Sequence, residues 1–275
     1  MVNEYRDWLY ENGFSSNTVR LYTHVADNFG DYIRENGKLS NSGIIVSHRI
    51  VNSYINNLSD AGYSNYAIAS NISAIKTYTD YLGAKHICSG ITSPHKERKA
   101  PGYIDEDSIV KIVNATRNAR DKVLVMVWYD GAMMLNEIVG LMRKDVSIRK
   151  GSINVSGYEV PLSKSTLLYL DIYIDKSVKD KDYVFYSQFG KPMDDCTAVV
   201  ILHKMCDRAG VERIKPNVLR HSRIIDIISK GGSLTYLQNF IRHWNTSRLT
   251  DYYKAAMGIR SGNVDTAIPA FSNIM

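Results

Sequence analysis

The stretch KPNVLRHSRIIDIISKGG, residues 215–232, sets Arg220 and His221 at the mouth of an apolar segment. A second Arg-His pair, Arg242 and His243, lies shortly ahead of two adjacent tyrosines, Tyr252 and Tyr253. Arginine holds phosphate through a rigid fork of donors, and a helix N-terminus adds its own partial positive charge. Each group alone has an ordinary structural reading: a surface ion pair, a satisfied histidine beside Trp244, or two core aromatics among nineteen tyrosines.

The chain that must position these groups has 275 residues, 44% hydrophobic and 23% charged. That length supports two domains, each with its own core. A formal charge of +6 and a pI of about 9.0 fit a phosphate-rich partner. Cys88, Cys196 and Cys206 show no CxxC spacing, which argues for a reducing compartment and against a disulfide framework or a zinc site. The opening MVNEYRDWLY is charged and lacks the apolar core of a signal peptide. The longest apolar run, VLVMVW from Val123, falls far short of the ~20 residues that span a bilayer. A soluble cytoplasmic protein without membrane association is expected. Nineteen tyrosines against six phenylalanines suit half-buried surfaces or nucleic-acid contacts, or reflect compositional bias.

Apolar spacing predicts four helices in residues 1–84. Tyr5, Trp8 and Leu9 mark the first, and Val19, Val25, Phe29 and Ile33 the second, capped by Ser16 or Asn17. Ile50, Tyr54 and Leu58 mark the third after Ser47, and Ile68, Ile72, Ile75 and Tyr78 the fourth. Residues 85–102 lose periodicity and gather His95, Lys96, Arg98 and Lys99 between prolines, a basic linker able to run along a nucleic-acid backbone. Residues 103–258 return to helix, with long helical patterns at ARDKVLVMVWYDGAMM, LNEIVGLMRKDV and SLTYLQNFIRHW. They are interrupted by a hairpin turning at Ser156-Gly157 and by a strand-like YVFYS. Residues 259–275 form a tail without pattern. The fold class is mainly α with a small β-hairpin or sheet: a helical bundle followed by an α+β domain.

In order and spacing these segments resemble the tyrosine recombinase (phage integrase, Xer-like) family over nearly the whole chain. SSNTVRLY and NISAIKTYTDYL resemble helices of its SAM-like core-binding domain. NEIVGLMRKDV, YVFYSQFGKPM and VLRHS resemble landmarks of its catalytic domain, and His243 stands nine residues before Tyr252, the family's spacing from site histidine to nucleophile. The resemblance implies a double-stranded DNA partner, self-association on paired sites, no cofactor and no metal. It assigns Tyr252 as nucleophile, with Tyr253 its neighbouring competitor. Arg220 is the second phosphate-clamping arginine, His243 a phosphate hydrogen-bond donor and Glu137 the acidic helper. DNA contacts fall to Arg20 and Lys76 in the bundle and to Lys96, Arg98 and Lys99 in the linker.

Other family roles lack their residue. Three positions before Glu137, where the family has its first arginine, stands Met134, read as core packing. Three before Arg220, where it has a histidine, stands Asn217, read as a cap for the following helix. The hairpin, clipped to VSGYEVPL, holds no lysine. Two expectations follow: a recombinase of weakened activity, with a replacement cation from Arg143, Lys144, Lys150 or a partner subunit, or a recombinase-fold DNA-binding protein that does not cut.

Overall fold

The computed structural model describes residues 2–40, 43–45, 47–95, 99–242 and 246–260. Contacts divide the chain into two compact units, Met1–Arg98 and Lys99–Met275. The first is the expected bundle: α1 (Val2–Glu11), α2 (Ser16–Asn36), α3 (His48–Asp60) and α4 (Asn65–Tyr81). An unforeseen antiparallel ribbon of β1 (Lys38–Ser40) and β2 (Gly43–Ile45) joins α2 to α3. Ser15 caps α2 by accepting from the Thr18 N–H, one residue earlier than expected, and Ser64 caps α4 the same way through Ala67. Tyrosine fills this core as a hydrophobe: Tyr5 meets Tyr78 edge-on at 4.9 Å, and Phe29 meets Tyr54 at 5.2 Å.

The second unit contains α5 (Glu106–Asn114), α6 (Ala119–Asp130) and α7 (Leu135–Val139). A three-stranded antiparallel sheet follows: β3 (Val146–Ser147), β4 (Ser152–Val155) and β5 (Tyr158–Pro161). Then come α8 (Lys164–Tyr173), α9 (Asp195–Ala209), α10 (Pro216–Ser229), α11 (Leu234–Gln238) and α12 (Thr246–Arg260). The apolar run from Val123 is the inner part of α6, where every side chain from Val123 through Asp130 is buried. A helix apolar on all sides belongs at the centre of a layer, and α8 and α10 pack against α6. The mainly helical class with a small sheet is borne out.

Several lengths differ from expectation. Gly140 stops α7 after five residues, so LMRKDV continues as a 3-10 turn and a short strand. YVFYS makes only isolated bridges, Met142 with Tyr183 and Tyr186 with Pro192. The α11 helix ends at Gln238, leaving residues 239–242 as irregular chain. The expected tail is helical as far as Arg260, and its remaining residues lie outside those described. No helix among the described residues is long and apolar enough to cross a membrane.

Buried polar groups fix α10. Its Ser222 Oγ accepts from the Ile104 N–H at 2.9 Å, and its Asp226 accepts from the hydroxyls of Tyr103 and Tyr129. Arg223 pairs with the fully buried Asp130 at 2.8 Å, and Asp130 also accepts from the Ser163 N–H at 2.5 Å. The α12 helix then packs along α10.

Two outcomes are expected from this packing. Trp128→Ala removes a fully buried indole whose Nε1 donates to the Met133 carbonyl at 3.1 Å; urea unfolding should show a loss of about 3–5 kcal/mol. The β4–β5 turn holds Ser156 at φ +53° and Gly157 at φ +85°, the arrangement of a type I′ hairpin. Gly157→Ala should destabilise by about 1–2 kcal/mol in the same assay, whereas Ser156→Asn should stabilise, because asparagine tolerates this backbone better than serine.

Candidate active site

Tyr252 lies within α12 and is only 4% exposed. His221, from α10, meets its ring edge-on at 5.7 Å. The Arg248 guanidinium, one turn earlier on α12, stands over the same ring at 5.6 Å. Burial raises the pKa of Tyr252 above the usual phenol value, and the charges of Arg248 and Arg220 oppose that rise. The phenol therefore stays protonated at rest, beside cations that favour its anion.

Arg220 is the fifth residue of α10 rather than its first, so its setting is the helix side. Its Nη1 donates to the Ala132 carbonyl at 2.5 Å and lies 4.0 Å from the Glu137 carboxylate. Burial lowers its pKa, repulsion from Arg242 lowers it further, and Glu137 and Tyr252 oppose both. Glu137 is the third residue of α7 and accepts from the Met134 N–H at 2.6 Å, which ties down the start of that helix.

Arg242 is the residue that sequence reasoning missed. Its side chain is fully buried against Glu137: Nε donates to Oε1 at 2.8 Å and Nη2 donates to Oε2. Nη2 also donates to the Ala132 carbonyl at 3.1 Å, and Nη1 faces the carbonyls of Gly131 and Phe240 at 3.5 and 3.4 Å. The visible signal was a charge exchange: an arginine missing at 134 and one present in FIRHW. Two arginines against one carboxylate leave a desolvated positive excess, which a phosphate group would neutralise.

His221 is neutral at ordinary pH. Burial, together with Arg248 and Arg220, takes its pKa down to about 4. Arg248 Nη2 lies 3.4 Å from His221 Nε2. An arginine can only donate, so Nε2 is the acceptor and the ring proton sits on Nδ1. That Nδ1 is buried without a hydrogen-bond partner among the described residues.

Other expected positions fall differently. Met134 precedes α7 as its N-cap and is only part-buried, while Met133 takes the core place at 0% exposed. The reading of Met134 as core packing is therefore corrected by one residue. Asn217 is exposed as the second residue of α10, behind Pro216 at the first position and Lys215 at the cap, so it does not cap the helix. Pro216, with no N–H to satisfy and φ preset, takes the helix start instead. Lys150 stands in the turn before β4, 69% exposed and 4.0 Å from Glu159, while Arg143 and Lys144 lie in the 3-10 turn after α7. In the first unit Arg20 and Lys76 are exposed, and the Lys76 ammonium donates to the Ile91 carbonyl at 2.6 Å. Lys99 is exposed; His243, Lys96 and Arg98 lie outside the described residues. Among the described residues no cluster of His, Cys, Asp and Glu could hold a metal ion.

The chain is similar to the tyrosine recombinase XerA of Pyrococcus horikoshii, 24% identical over 263 residues that cover 92% of this chain and 88% of the relative. Its fold is similar to that of the XerH site-specific recombinase bound to a palindromic difH substrate, with a TM-score of 0.72, 16% identity and coverage of 89% and 78% of the two chains. It is also similar to a lambda integrase tetramer bound to a Holliday junction, with a TM-score of 0.67, 13% identity and coverage of 97% and 78%. The profile of the phage integrase N-terminal SAM-like domain matches residues 2–86, and that of the phage integrase family matches residues 102–258. The second match alone spans more than half of the chain and contains Glu137, Arg220, Arg242 and Tyr252, so the protein belongs to the phage integrase family.

Proposed function

We propose that the protein binds double-stranded DNA and recombines or integrates it at specific sites through a 3′-phosphotyrosyl intermediate, with Tyr252 as nucleophile. The observation that carries this reading is the buried phenol of Tyr252 beside Arg220 and Arg248, in a site where arginine charge exceeds carboxylate charge. In the reaction the Tyr252 oxygen bonds to phosphorus while the bond from phosphorus to the 5′ oxygen breaks. The phenol gives up a proton and the departing 5′ oxygen takes one up, so no net proton is consumed. The phosphodiester bond energy is stored in the covalent link. Arg220 donates to a non-bridging oxygen as charge gathers there. His243, nine residues ahead of Tyr252 as in the family pattern, takes the role of a further hydrogen-bond donor to the phosphate.

The relatives support the partner and the assembly. XerH was solved on its DNA substrate, and lambda integrase as a tetramer on a junction. Self-association on paired DNA sites, inside the cell, accords with both. Arg20, Lys76, Lys96, Arg98 and Lys99 supply phosphate contacts in this reading, and their effect is electrostatic.

A second reading, a DNA-binding protein of this fold that does not cut, is favoured by specific features of the site. Arg242 turns its donors toward Glu137 and backbone carbonyls, and β4, β5 and their turn hold no lysine. A missing oxyanion-type donor costs about 10²–10³ in rate, and a missing general acid about 10²–10⁴.

One experiment separates the two readings. A duplex site is selected from a randomised pool, rebuilt as a nicked suicide substrate, and run with the protein on a denaturing gel. A covalent band lost in Tyr252→Phe and kept in Tyr253→Phe is expected. Sequence-specific binding with no band would establish the non-cutting form. Under both readings duplex affinity should fall steeply between about 50 and 200 mM salt; a flat response would remove DNA as the partner.

A further inference from the structure

With Met134 in the place of the first arginine, the phosphate clamp is one cation short. Arg242 has taken over contact with Glu137, yet its Nε and both terminal nitrogens are directed to the carboxylate and to the carbonyls of residues 131, 132 and 240. Its side chain is 0% exposed, and Arg220 is 11% exposed.

Arg248 stands elsewhere. It is four residues before Tyr252 on the same helix, so the two side chains share one face. Its guanidinium lies over the Tyr252 ring, 3.4 Å from His221 Nε2 and 3.7 Å from Asp251. At 37% exposure part of it faces solvent, while its inner edge stays on the Tyr252 ring. His221 has a defined part in this arrangement. An uncharged imidazole can accept from the guanidinium, whereas an imidazolium would repel it.

We propose that Arg248 supplies the clamp's missing arginine, donating to a non-bridging oxygen of the scissile phosphate alongside Arg220. The assignment rests on Tyr252 being the nucleophile. The replacement cation is then carried on the nucleophile's own helix, so charge and attacking oxygen move as one body. His221 is a positioning residue that orients the guanidinium. A hydrogen bond and the charge of Arg248 also counter the effect of burial on the phenol.

The test uses the full chain and two probes: orthovanadate, as a mimic of the pentacoordinate phosphate, and the nicked suicide duplex. Arg248→Met should weaken vanadate binding about 10- to 100-fold, the loss of a charged hydrogen-bond donor. Arg248→Lys should lie between the two, having charge without the fork. In the cleavage assay Arg248→Met should slow covalent-band formation by about 10²–10³, with a smaller change in duplex affinity. The thermal midpoint should move by no more than about 4 °C. Should the methionine variant fail to fold, Arg248→Gln serves for the same comparison. A wild-type chain that does not bind vanadate, or an Arg248→Met chain that binds it as tightly, overturns the assignment. Vanadate binding that depends on Arg248, with no covalent band on DNA, would sink the recombinase reading and leave the anion site in place. A covalent band formed equally fast by wild type and Arg248→Met would remove Arg248 from the clamp and leave the recombinase reading intact.

Discussion

The carboxylate of Glu137 is buried at the point where four pieces of chain meet: the turn after α6, the start of α7, the side of α10 and the irregular segment after α11. It accepts from the Met134 N–H, pairs with Arg242 and lies 4.0 Å from Arg220. Without that negative charge two desolvated guanidiniums would face each other across the Ala132 carbonyl, to which both donate. Ala132 holds φ +44°, a left-handed backbone that costs an L-residue about 1–2 kcal/mol. The two bonds to its carbonyl offset that cost. The net positive charge left over is a property of the site's construction and gives an anion a reason to bind.

Behind this point α10 acts as a polar spine within an apolar unit. Arg220 on it faces the candidate site, while Ser222, Arg223 and Asp226 are satisfied by Ile104, Asp130, Tyr103 and Tyr129. Each of these buried groups is costly when unpaired, so the register of α10 against α6 and against residues 103–104 has little freedom. That restricts where Arg220 and His221 can sit relative to α12, and therefore to Tyr252.

Much of this was legible in the sequence, for identifiable reasons. The isoleucines of α4 recur at helical spacing, the inner part of α6 from Val123 is apolar on every side, and Ser156-Gly157 between alternating residues favours a tight two-residue turn. The association of Arg220 with Tyr252 was implied by the resemblance to the tyrosine recombinases. What escaped depends on contacts distant in sequence. Arg242 meets Glu137 across 105 positions, and nothing local to FIRHW shows that its guanidinium is buried. Met133 and Met134 are equal by composition, and only the turn between α6 and α7 decides which is core. Asn217 looked like a cap because its type favours caps, but Pro216 had already started the helix. YVFYS has strand composition, but among the described residues it finds only isolated bridges and no strand to complete a ladder.

The two-residue turn between β4 and β5 also constrains how this site can change. Val155 pairs directly with Tyr158, so the ribbon has no slack between its strands. Inserting a single residue would turn every later side chain of one strand to the opposite face and expose Val160, which is now fully buried. A longer, lysine-bearing hairpin keeps Val160 buried where added residues stay within the turn or enter the strands in pairs that preserve the alternation. A single-residue insertion within β5 is opposed by the packing of Val160. The shortness of one turn thus sets where extra residues, and any charge they carry, could be added without unpacking the sheet.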